Sequence, residues 1–152
     1  MKRLAYRMSA LLLLTGLVAM AGPSPASADP GSSGAAATAA RLPARILVGQ
    51  GSGSCPRQYA CFWEAAHFTG RGVGFLNNEP TINTLPPAYR FINDTASSVY
   101  NNGTSGMQIR MCEHPRGGGR CISLARGWTF PDLSHPALAM NDTISSMQWF
   151  WG

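Results

Sequence analysis

The chain has 152 residues, with twelve basic against seven acidic side chains and a formal charge of +5. Lys2, Arg3 and Arg7 supply three of those five charges inside a segment that reads as an export signal, so the remainder carries only +2. A basic tract that would hold nucleic acid is therefore excluded, and the apolar runs fall short of the roughly 20 residues a membrane-spanning helix needs.

Residues 1–28 are expected to be a cleavable signal peptide. Leu11–Met20 is its apolar centre, and Ala26-Ser27-Ala28 supplies small residues for cleavage before Asp29. The mature protein is then secreted, extracellular, free of the membrane and expected to be a monomer. Residues 29–54 read as a flexible linker. Asp29–Ala44 is mostly Gly, Ser, Ala and Pro, and Gly49–Ser54 continues in the same style. Between them, Arg45-Ile46-Leu47-Val48 reads equally as a short strand or as exposed tail.

The folded domain is expected over 55–152. A unit of that size buries only about two thirds of its unfolded surface and gains from cross-links. Cys55, Cys61, Cys112 and Cys121 allow three pairings. The local pairs Cys55–Cys61 and Cys112–Cys121 are favoured, because each closes a short loop rich in Gly, Pro or Arg, for roughly 2–3 kcal/mol apiece. A zinc site is the rival, but neither spacing is the two-residue knuckle that zinc prefers.

An internal repeat organises this domain. Asn93-Asp94-Thr95-Ala96-Ser97-Ser98 recurs as Asn141-Asp142-Thr143-Ile144-Ser145-Ser146, an offset of 48. Kept without a gap, that offset lays Trp63 on Met111, Gly70 on Gly118, Leu76 on Leu124, Thr81 on Thr129 and Leu85 on Leu133. Two copies are thus expected, at about 55–103 and 104–152. Each reads as short strands: Ala60–Glu64 and Gly72–Leu76 in the first, Met107–Cys112 and the run around Ile122 in the second. Ser98–Tyr100 and Ser146–Trp149 then close the copies. Trp63 and Trp149 are expected between two sheets, with Phe150 and Trp151 partly exposed.

These residues resemble a family. Trp63-x4-Phe68-x-Gly70 is similar to the aromatic corner of βγ-crystallin Greek keys, with Met111 and Arg116 standing where a second corner would carry aromatics. The two hexapeptides resemble that superfamily's calcium motif. The whole pattern is most similar to the secreted bacterial peptidase inhibitors typified by the Streptomyces metalloproteinase inhibitor. That signal peptide precedes Cys-Pro-x4-Cys-x-Trp (Cys55 to Trp63) and paired Asn-Asp-x-x-Ser-Ser repeats. The resemblance implies an all-β, βγ-crystallin-like sandwich of two Greek keys. It implies an inhibitor of metalloproteases that occupies the cleft with a cysteine-closed loop, here Glu113-His114-Pro115-Arg116-Gly117, with an extracellular protease as partner.

It also implies calcium ligands: Asp94, the Thr95 carbonyl and Ser97, with Asp142, Thr143 and Ser145, while Asn93 and Asn141 shape the turns. One carboxylate per copy predicts weak binding, and the same residues equally make metal-free turns, so no cofactor is required. The inhibitory loop has its own plain alternative, a stapled hairpin, since it is polar and three successive glycines oppose rigidity. His67, His114 and His135 are too scattered for a metal or catalytic site, and motifs for a nucleophile or a phosphate loop are missing, so an enzyme is not expected. Two other functions stay open: a calcium-binding structural module, and a carbohydrate- or envelope-binding module using the terminal aromatics.

Overall fold

The computed structural model describes residues 43–152; the signal peptide expected over 1–28 and most of the expected linker lie outside them. Among the described residues, eight strands form two antiparallel sheets. One has five strands in the order β1(Ala44–Leu47), β3(Thr69–Phe75), β2(Ala60–Ala65), β4(Ser98–Asn101), β7(Thr129–Phe130). The other has three, β6(Gly118–Leu124), β5(Gln108–His114), β8(Ser146–Phe150). The architecture is all-β and of the βγ-crystallin type, with disulfides Cys55–Cys61 and Cys112–Cys121.

Alternation along the strands builds the core. Ala60, Phe62, Val73, Phe75 and Val99 from the larger sheet face Ile109, Met111, Leu124 and Met147 from the smaller one. Ile82, Ile92, Leu133, Met140 and Ile144, from the connections, close the ends.

Each copy lends its third segment to the other's sheet. Glu79, after β3, exchanges both backbone hydrogen bonds with Met147 of β8, at 2.8 and 2.9 Å. In return β7 pairs with β4 through Phe130 and Val99. Corners are tied across as well: the Arg116 N–H donates to the Pro80 carbonyl and the His67 N–H to the Pro131 carbonyl. This exchange is the Greek-key crossover, and it makes one core out of two copies.

The gapless repeat needs correction. Phe62 pairs with Val73 and Val99, as Met111 pairs with Ile122 and Met147. Phe62 is therefore the equivalent of Met111, and Trp63 that of Cys112, an offset of 49. In the third segments the equivalents are Glu79 with Phe130 and Ile82 with Leu133, an offset of 51; the Ile82 and Leu133 N–H groups donate to Ser145 and Ser97 carbonyls. At the hexapeptides the offset returns to 48. The first copy uses its extra residues for a helical turn, α1(Pro87–Arg90). A slip of one matters in a strand, because it exchanges the faces.

Two placements follow from the face. Trp63 is fully buried, but on the outer side of the larger sheet rather than between the sheets, in a second cluster with Leu47, Cys55, Tyr59 and Cys61. Its ring lies over Gly72, where an added Cβ would come 2.8 Å from Cδ1. Residues 43–54 supply part of the cover, so this stretch is not free linker: β1 pairs with β3 from Ala44–Phe75 to Leu47–Gly72, and the Gly51 N–H donates to the Phe68 carbonyl. Trp149, expected in the core, is only half-buried at its edge.

Candidate functional site

The sequence singled out two regions, and the fold places them in different settings. The stretch between Cys112 and Cys121 is a hairpin. Glu113 and His114 end β5, Pro115–Gly117 form a 3-10 corner, and β6 starts at Gly118. His114, Pro115 and Arg116 are exposed at its tip.

The corner is held from several directions. Cys112 and Cys121 are directly opposite residues of β5 and β6 and are bonded. The Ser146 hydroxyl donates to the His114 carbonyl at 2.7 Å and accepts from the Gly117 N–H at 3.1 Å. Ser98 does the same for the first corner, with the Ala65 carbonyl and the Phe68 N–H. The Glu113 carboxylate accepts from the Arg120 N–H at 3.0 Å and pairs with its guanidinium. Those contacts, the backbone N–H first, hold the Glu113 carboxyl below its usual range. Arg120 also reaches the Ala139 carbonyl.

Comparing the corners explains the staple. In the first, Trp63 meets Phe68 edge-on with centroids 5.2 Å apart, and Gly70 takes a φ of +77°. In the second, Cys112 and Gly117 occupy the aromatic positions, rather than Met111 and Arg116, and Gly119 replaces Gly70 with a φ of +72°. A disulfide thus stands where the first copy has aromatic packing. Of the glycines expected to loosen the loop, Gly119 is the one the corner requires, as Gly70 is in the first. Gly117 and Gly119 both lie in the left-handed region, and an added Cβ at Gly119 would sit 3.0 Å from Glu113 Cβ.

The hexapeptides face each other across the two copies. The Ser145 hydroxyl donates to Asp94 Oδ1 at 2.7 Å, and Ser97 to Asp142 Oδ1 at 3.5 Å. The Asp94 N–H donates to the Ile144 carbonyl and the Asp142 N–H to the Ala96 carbonyl, both at 3.1 Å. Both aspartates have a φ of 55°. The Asn93 and Asn141 amides donate to their neighbouring aspartates, Thr95 and Thr143 donate to the Phe91 and Met140 carbonyls, and Asn93 Oδ1 is buried without a donor. Among the described residues, no group of three His, Cys, Asp or Glu is placed to hold a metal.

A third region had no sequence signal. A cleft of about 530 Å³ opens between the Cys55–Cys61 turn, the segment after β3, the inter-copy connection and Trp149. Its parts lie some 90 residues apart, so only the fold brings them together.

Several βγ-crystallins of known structure resemble the chain. One, described as "Evolution of the eye lens beta-gamma-crystallin domain fold", superposes with a TM-score of 0.57 at 20% identity, over 72% of this chain and 98% of that one. A βγ-crystallin from an archaeon (TM-score 0.48, 18% identity, 62% of this chain and 100% of that one) also aligns. So does a βγ-crystallin domain from Clostridium beijerinckii (0.48, 20%, 60% and 97%). No curated protein sequence matches the chain. Residues 50–124, which run from the first disulfide turn to the end of β6 and so include the whole stapled hairpin, match the model of peptidase inhibitor family I36. Residues 50–124 thus carry a peptidase inhibitor family I36 domain, which indicates an inhibitor rather than an enzyme, on a βγ-crystallin fold.

Proposed function

We propose that the protein is secreted and inhibits an extracellular metallopeptidase by placing the Cys112–Cys121 hairpin corner in its cleft. One observation carries this reading: His114, Pro115 and Arg116 are exposed on a backbone fixed by a disulfide, by Ser146 and by the Pro80 carbonyl. A segment ordered before binding loses little conformational freedom on docking, and one tied at both sides is slow to leave after cleavage. The metallopeptidase class rests on the resemblance to the Streptomyces inhibitor group, and export on Leu11–Met20 and Ala26-Ser27-Ala28.

The test is a titration of purified protein against a thermolysin-like metallopeptidase and a trypsin-like serine peptidase. Stoichiometric loss of the metallopeptidase's activity is expected. The Cys112→Ala/Cys121→Ala variant should inhibit at least tenfold more weakly, the equivalent of about 1.4 kcal/mol. Full activity of both peptidases at large molar excess overturns the reading.

A second reading has its own observation. The crossed Asp94–Ser145 and Asp142–Ser97 pairs gather hard oxygens at two symmetric places, and Asn93 Oδ1 is buried without a donor. Calcium takes six to eight oxygens, and these residues fit it sparsely. Each aspartate carboxylate, the opposing serine hydroxyl and the Thr95 or Thr143 carbonyl would hold the ion, and it would cross-link the copies. Ligand selective for the folded state raises the thermal midpoint. Millimolar calcium should raise it over chelator in the parent and not in Asp94→Asn/Asp142→Asn; equal midpoints in the parent end the proposal.

A further inference from the structure

The cleft beside Trp149 lies outside both sites above, and its chemistry is specific. Gln58, Asn77, Asn78, Thr104, Ser105 and Trp149 are among the residues that line it, so amides, hydroxyls and an indole predominate and no charged residue is included. At about 530 Å³ it falls within the range of small-ligand sites.

Its walls are set in advance. Gln58 holds a φ of +79°, a costly conformation for a residue with a Cβ. It is kept there by the Cys55–Cys61 bridge and by its N–H bond to the Asn102 carbonyl at 2.8 Å. The Asn102 amide in turn donates to the Cys55 carbonyl at 2.8 Å. Asn78 Oδ1 accepts from the Trp149 backbone N–H at 2.7 Å, which ties the segment after β3 to β8. Gly103 lets the indole lie against the inter-copy connection, since an added Cβ would stand 2.9 Å from Cζ3.

We propose that this cleft binds a neutral oligosaccharide. Amides and hydroxyls both donate and accept, which is what a ring of sugar hydroxyls requires, and an indole offers its apolar body to the sugar's C–H groups. No cation or carboxylate is among the lining residues, although the exposed Arg126 guanidinium donates to the Thr104 carbonyl at 3.5 Å, so the lining itself favours a neutral ligand. The site is also well removed from the hairpin corner. Gln108 at the start of β5 pairs with Phe150, next to Trp149, whereas the corner follows the other end of that strand. Seven residues of β-strand put about 20 Å between them. The protein can thus be tethered to a glycan while its corner stays open to a peptidase.

The experiment is an NMR titration of the purified protein with cellohexaose and with chitohexaose, which needs no peptidase and so is independent of the inhibitor reading. Saturable shifts are expected with at least one sugar at residues 58, 76–78, 103–107 and 149. Asn77→Ala and Thr104→Ala, both at exposed positions, should bind about fivefold to tenfold more weakly with an unchanged thermal midpoint, as loss of one hydrogen bond each implies. Trp149→Phe should weaken binding too. The proposal is overturned if neither sugar gives saturable shifts at millimolar concentration, if the shifts fall elsewhere, or if the variants bind as the parent does.

Discussion

Three carboxylates set opposite pH dependences in this small domain. Glu79 is 8% exposed, sits where the first copy crosses to the other sheet, and has its carboxyl pushed up by desolvation. The folded state therefore keeps that proton to higher pH than the unfolded chain does. Its contribution is fully present below the ordinary carboxylate range, about 4.3, and is lost as pH rises through the folded value. Glu113 and Asp132 run the other way. The Arg120 N–H lowers the first, and the Ser134 hydroxyl and N–H lower the second. Their contributions are present above the ordinary range and fade as pH falls through the folded values. Glu79→Gln should accordingly raise the thermal midpoint at pH 7 and leave it nearly unchanged at pH 4. Thermal melts of the two proteins at both pH values check this, and an equal shift at both would show that the charge is not the cause.

At the scale of strands, the stretch before Cys55 is where composition misled most. Arg45–Val48 is flanked by Gly, Ser and Pro and reads equally as strand or tail, and Ala44–Leu47 forms the edge strand that covers Trp63. The apolar run alone does not decide between the two, because the reason for its burial is Gly72 and Gly74 on β3, two bare positions that leave a trough for Leu47, Tyr59 and Trp63. The hexapeptides were legible because they are turns, where Asn, Asp and Ser act through neighbouring backbone. The strands between them tolerate insertions, so the gapless offset put outward Trp63 on inward Met111. The alternation Ile109, Arg110, Met111 carries the signal that would have corrected it, since it fixes Met111 on the core face with Phe62. The cleft stayed invisible because its residues are ordinary loop amides and hydroxyls. Deleting residues 1–48 removes β1 and uncovers Trp63. Burial of Leu47 alone is worth about 2 kcal/mol, so the truncated protein should lose at least that much stability in urea while retaining a folded hairpin corner. A loss below about 0.5 kcal/mol would mean that β1 is no part of the cooperative unit.

At the scale of the whole molecule, the exchange of third segments decides what can fold. The first copy holds Phe62, Val73, Phe75 and Val99, but the residues that seal them, Phe130 and Leu133, belong to the second. The second copy's β8 takes its outer partner from Glu79 of the first, and its corner is tied to Pro80. Each half alone would expose one entire apolar sheet face and an unpaired edge, with only about 50 to 60 residues to offset the ordering entropy. Neither 43–103 nor 104–152 should therefore fold alone, although each keeps its own disulfide. Produced separately, both should give the circular dichroism of unfolded chains and no sigmoidal melt. Mixed after oxidation, they should regain the β spectrum and a concentration-dependent midpoint, because the core then forms between two chains. A cooperative melt from either half by itself would mean that one copy closes its own core, and the crossover would then be a docking contact between finished units instead of the source of the fold.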